Sequence, residues 1–180
     1  MQKNRVLLTR RRFVAGGALG GATIAAGCRP AGLRGSWEAL TDAEAGTLAV
    51  LCDQIVPADE FSGAMQAGVL NYIDQQLARH YRRHRDEYRD GLSAADTLSR
   101  ERFGHGLVDA SSAQQMQVAA TLEKQKSAFF ELVRRHTLEG FYGSPRHGGN
   151  RDAASWRMLG LAEPPLRGRA QYDLRNGGRS

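Results

Sequence analysis

Cysteine is scarce in this chain of 180 residues: only Cys28 and Cys52 carry thiols. Two thiols cannot hold a four-thiolate iron–sulfur cluster, and no Cys-x-x-Cys-His is present to attach a c-type haem. A multi-bridge disulfide framework is excluded by the same count. Long apolar runs are lacking too, since the apolar stretch Ala15–Gly27 spans only 13 residues, short of the roughly 20 that a membrane-spanning helix needs. There is no alternating strand pattern of useful length, no internal repeat, no Gly-x-Ser-x-Gly elbow, no His-Glu-x-x-His pair and no P-loop. Gly16, Gly17, Gly20 and Gly21 do not make a dinucleotide loop, because no strand precedes them and their spacing is wrong. A basic field is also missing from the body of the chain. Of the net charge of +6, five charges sit on Lys3, Arg5, Arg10, Arg11 and Arg12, leaving +1 for everything after them. Nucleic acid is therefore not an expected partner.

What is present starts with the N-terminus. Thr9, Arg10, Arg11, Arg12, Phe13 and Val14 lead into the weakly hydrophobic glycine-rich run, a cationic n-region followed by a short h-region. The arginine pair with Phe13 close behind resembles a twin-arginine export signal over residues 1–27, with Arg10, Arg11 and Phe13 as its reading points. Cys28 follows Ile24, Ala25, Ala26 and Gly27, so it is either a lipid-modified cysteine or an incidental thiol beside an ordinary cleavage site. Either way the expected location is periplasmic, attached to the inner membrane through a complex or a lipid anchor.

Residues 28–40 read as a linker rich in Pro and Gly, and helical periodicity begins after it. Thr41 and Glu44 form a capping box, and Leu48, Leu51, Cys52 and Ile55 make one apolar stripe that ends before Pro57. Cys52 therefore reads as core. Val69, Ile73 and Leu77 define a second helix that runs into a charged stretch, where only Tyr81 and Tyr88 are apolar before Leu92, Ala95 and Leu98. His80 and His84 have the spacing of a helical metal pair, but arginines crowd them and no third ligand is in place, so a solvated basic face is expected. A further helix is expected from a Ser112/Gln115 box, with Met116, Ala119, Ala120 and Leu122 inward. The last one carries Phe129, Leu132, Val133 and His136 and is expected to stop at Gly140. The pattern predicts a mainly α fold, an irregular small helical domain over residues 41–165 with a Gly/Pro-rich C-terminal loop region and a basic tail over 166–180.

Between Glu139 and Gly160 the turn formers Gly140, Gly143, Pro145, Gly148, Gly149 and Gly160 alternate with Phe141, Tyr142, Arg146, Asn150, Trp156 and Arg157. Aromatic and guanidinium groups displayed on turns make either a self-packed lid or an interface. Tyr142, Arg146, Asn150 and Arg157 are the candidate partner contacts, and Phe141, Gly143, Gly149 and Trp156 the candidate structural anchors.

These residues resemble the gluconate 2-dehydrogenase subunit 3 family. The features that carry the resemblance are the Gly-Phe-Tyr-Gly turn, Gly148, Gly149 and Asn150, and Trp156 with Gly160 behind it. Upstream they are Leu40 and Thr41, the Asp53 to Asp59 segment, the Gly68 to Leu77 helix and the Arg134 to Thr137 stretch. Ser144 and His147 stand where that family usually has an acid and an aromatic. The resemblance implies a noncatalytic small subunit, with FAD in a large dehydrogenase subunit and c-type haem in a multihaem cytochrome subunit. It implies no cofactor, catalytic residue or metal site in this chain. Its partners would be those two subunits and the twin-arginine export machinery. Two other readings stay open: a freestanding envelope lipoprotein or scaffold, and an independent enzyme using His136, Asp152 and Arg157.

Overall fold

A computed structural model describes residues 36–161. The twin-arginine segment with Arg10, Arg11 and Phe13, the candidate lipidation site Cys28 and the basic tail from residue 166 lie outside the described residues. Those described form helices α1 (Asp42–Ile55), α2 (Val69–Ala78), α3 (Arg85–Phe103), α4 (Ser112–Lys124), α5 (Ala128–Tyr142) and the short α6 (Ala154–Met158). No strand occurs among them, as the mainly α expectation requires.

Helix α1 starts where its sequence says it should. The Thr41 hydroxyl accepts from the Glu44 amide at 3.2 Å while the Glu44 carboxylate accepts from the Thr41 amide at 2.8 Å, satisfying two donors that the first turn would leave orphaned. The expected single stripe is too narrow, however. Ala45, Thr47, Leu48, Ala49, Val50, Leu51 and Cys52 are all buried, while Ile55 is only half-buried. α1 packs against α2, α3, α4 and α5 together, and a helix enclosed by four others has little face left for solvent. The segment before it is tied down by the buried Asp74 of α2, whose carboxylate accepts from the amides of Glu38, Ala39 and Leu40 at 2.8–3.0 Å.

In α2, Val69, Ile73 and Leu77 are buried as their spacing predicts. Helix α3 buries Tyr88, Leu92 and Ala95, and Gly91 lets it approach α5 so closely that a Cβ there would overlap the Phe129 ring. Helix α4 departs from expectation in two respects. Its capping box is Ser111 with Gln114, one residue earlier than predicted, and its buried face is Val118, Ala119 and Leu122, with Met116 and Ala120 exposed. Both Ser111 and Ser112 can cap, and the face that turns in is the one that packs against α3 and α1. Helix α5 buries Phe129, Leu132, Val133 and His136 as expected.

Gly140 does not end α5. The helix continues through Phe141 and Tyr142, with Gly140 buried inside it. Its role is close approach, because a Cβ at that position would come within 2.7 Å of the Tyr72 ring on α2. No helix among the described residues is long and apolar enough to cross a membrane.

Candidate functional site

The C-terminal turn region wraps the end of α5 and the start of α2. The two helices are joined there by main-chain contacts and not by side-chain burial alone. The Arg151 amide donates to the Ala67 carbonyl at 2.9 Å, and the Asn71 side-chain amide donates to the Gly148 carbonyl at 3.0 Å. Gly149 lies against the Gly140 carbonyl, where any Cβ would overlap it. A glycine in the middle of α5 and one in the following turn thus form a single backbone-to-backbone contact.

Asn150, expected among the partner contacts, is fully buried, which corrects that expectation. Its amide nitrogen donates to the Gly143 carbonyl at 2.8 Å, and its carbonyl oxygen accepts from the Ser155 amide and hydroxyl, each at 2.9 Å. One side chain therefore links the end of α5 to the start of α6. Its backbone is left-handed at φ 44°, a conformation Asn tolerates better than most residues. Asp152 and Ala153 are also left-handed, at φ 55° and 51°. That is costly for an Ala, and the surrounding bonds hold it in place.

The remaining candidates fall on both sides of this clasp. Phe141 is buried in the core and makes an edge contact with the Tyr142 ring at 4.9 Å between centroids. Gly143 is half-buried and its carbonyl receives the Asn150 bond, and Gly149 is buried. Trp156 is half-buried, its indole donating to the Tyr142 carbonyl at 2.9 Å. Tyr142, Arg146 and Arg157 are exposed. The Arg157 guanidinium donates to the Asp152 carbonyl. Three further exposed side chains of this region were not singled out by sequence: Leu159, Leu161 and Arg151. The available signal was two leucines straddling Gly160, beyond the point where a core stripe needs them.

His136, Asp152 and Arg157 do not form a site. His136 is enclosed by Tyr88, whose hydroxyl lies 2.9 Å from Nδ1, by the Tyr81 ring stacked at 4.2 Å and by the edge of His84. Burial, together with the charges of Arg135 and His84, lowers its pKa to about 4. The imidazole is neutral at pH 7, and its Nδ1 is engaged by a phenol that burial keeps protonated. His84 corrects the expectation of a solvated basic face: it is half-buried, its Nδ1 3.0 Å from Glu87. Cys52 is core as expected, 3.3 Å from the Thr137 hydroxyl, with burial pushing its thiol up to about 12. Among the described residues no three His, Cys, Asp or Glu side chains converge as metal ligands do.

Compared with known families, the sequence matches gluconate 2-dehydrogenase subunit 3 over residues 42–162. The chain belongs to that family. The match starts at the first residue of α1 and runs past Leu161, so it takes in the whole helical body together with the clasp and the exposed surface beyond it. No curated protein and no solved structure compared with the chain gives a significant match. As a subunit 3 member, this chain is by family one component of a dehydrogenase assembly.

Proposed function

We propose that this chain is the noncatalytic small subunit of a periplasmic, membrane-associated FAD-dependent gluconate, sugar or polyol dehydrogenase. In this reading it binds the flavoprotein subunit before export, lends its twin-arginine signal to both and remains bound as a stabilising component. Hydride from the substrate would pass to flavin in the partner, and a multihaem cytochrome c subunit would take the electrons onward. The observation that carries the reading is the family match across nearly all the described residues.

The chemistry of the side chains agrees with this division of labour. Cys52 and His136, a thiol and an imidazole, are both engaged inside the core by Thr137 and Tyr88. The braced turn exposes Tyr142, Arg146, Arg151 and Arg157, residue types that favour protein contact.

Coexpressing the chain with a candidate FAD-dependent dehydrogenase large subunit from the same genome and purifying through a tag on this chain tests the proposal. Flavin absorbance in stoichiometric amount and sugar or polyol dehydrogenase activity are expected in the copurified complex, and neither in this chain purified alone. A flavoprotein that is exported, stable and fully active without this chain would sink the reading.

A further inference from the structure

Tyr142, Leu159 and Leu161 are 42%, 53% and 55% exposed, an unusual concentration of apolar surface within twenty residues of a small domain. Hydrogen bonds through Trp156 tie their segments together: its indole donates to the Tyr142 carbonyl, and its carbonyl accepts from the Leu161 amide at 2.8 Å. Three arginines accompany them. Arg146, Arg151 and Arg157 are all exposed, and no carboxylate pairs with them among the described residues, as is also true of Arg82, Arg83, Arg85, Arg102 and Arg135 on the body.

The sign of this surface is opposite to that of the body that carries it. Residues 36–141 hold 16 Asp and Glu against 11 Lys and Arg, while residues 142–161 hold three Arg against the single Asp152. An apolar centre accompanied by net positive charge calls for a partner that is apolar in the middle and acidic at the edge, since guanidinium forks pair with carboxylates and rim charges steer approach.

We infer that the surface formed by Tyr142, Arg146, Arg151, Arg157, Leu159 and Leu161 is where the flavoprotein subunit docks, through an apolar patch rimmed by Asp and Glu carboxylates. The inference rests on the accessory-subunit reading above and adds to it the face and the chemistry of the contact. A second copy of this chain fits less well. Its acidic body could receive the basic end, but such a head-to-tail contact leaves the same end free on the next copy and does not close into a finite assembly without a ring. A distinct partner satisfies the surface once. The clasp behind it suits that role, because a preordered turn loses little freedom on binding.

The test uses the full chain and its coexpressed flavoprotein, with affinity measured at low and high salt. Arg146→Glu combined with Arg151→Glu should weaken association about tenfold or more at low salt and by less at high salt, because exposed charges are screened. Leu159→Asp combined with Leu161→Asp should weaken it by a similar factor at both salts. Arg82→Glu, which reverses another exposed arginine outside this surface, should bind as the unsubstituted chain does. Circular dichroism and melting temperature establish that each variant is folded. If the unsubstituted chain binds no flavoprotein, the accessory reading itself falls and the docking inference with it. If it binds and the two double variants bind equally well, the reading stands and the face is elsewhere. Concentration-dependent self-association that the leucine variant abolishes, with flavoprotein binding untouched, would assign the surface to a second copy and overturn the inference.

Discussion

His136 is 1% exposed, with the Tyr81 ring stacked on it at 4.2 Å and its Nδ1 held by the Tyr88 hydroxyl at 2.9 Å. Its pKa is lowered to about 4, so the native state resists a proton that the unfolded chain accepts near pH 6.5. Between those two values the unfolded state binds more protons, and stability must rise with pH. The contribution is fully present above about pH 6.5 and is lost as pH falls toward 4, amounting to roughly 2 kcal/mol between pH 7 and pH 5. Thermal melts of the helical domain across that range should show the decline. His136→Gln, which keeps a hydrogen-bonding group and removes the titration, should lower the melting temperature at pH 7 yet flatten its pH dependence. An equally steep profile in that variant would assign the effect to other groups. The position of His136 on an apolar stripe already marked it in the sequence as a core histidine. The depth of its burial and the Tyr81 stack were not visible, because Tyr81 reaches it from another part of the chain.

Among the elements, α5 and the turn after it show how two glycines can determine a junction. Gly140 lets α5 approach α2 at Tyr72, and Gly149 then lets the returning chain lie on the Gly140 carbonyl. Asn150 completes the clasp from the next position. A methyl group at Gly149 has no space and meets backbone, which cannot rotate away as a side chain could. Gly149→Ala should therefore lower the unfolding free energy by about 1–3 kcal/mol, the scale of overpacking. It should also weaken flavoprotein association more than the stability loss alone explains, because the displaced turn carries Arg151 and the start of α6. Denaturant titration of the lone subunit, set beside its affinity for the partner, measures both. Loss of stability with unchanged affinity would uncouple the clasp from docking. Asn150→Ala tests the same junction from the other side, leaving the Gly143 carbonyl and the Ser155 amide without that partner. The buried amide makes it the costlier change, about 2–4 kcal/mol.

Across the whole molecule, folding and export are linked by the proposed complex. A folded helical body formed in the cytoplasm could bind the flavoprotein there, and one signal could then serve two chains. Replacing Arg10 and Arg11 with Lys keeps the charge and removes the guanidinium pair. Both this chain and its flavoprotein are expected to remain in the cytoplasm together. Immunoblots of periplasmic and cytoplasmic fractions decide it: a partner that reaches the periplasm at normal levels beside a retained small subunit has its own route.

Much of the helical framework was determined by the sequence alone, because its causes are local. The Thr41/Glu44 box, the Val69, Ile73 and Leu77 face and the Phe129 to His136 stripe each rest on residues within two or three turns of one another, where spacing alone sets which side chains share a face. The fate of Cys52 was settled in the same way, by its place on a stripe. Tertiary structure alone decided the rest. Whether α1 is half-buried or enclosed, whether Val118 or Met116 turns inward, and whether Gly140 ends a helix or admits a neighbour all depend on segments far away in the chain. Asn150 is the clearest case. Its residue type and turn setting suit an exposed contact as well as a buried clasp, and only the arrival of Gly143 and Ser155 on either side of it made the clasp lower in free energy.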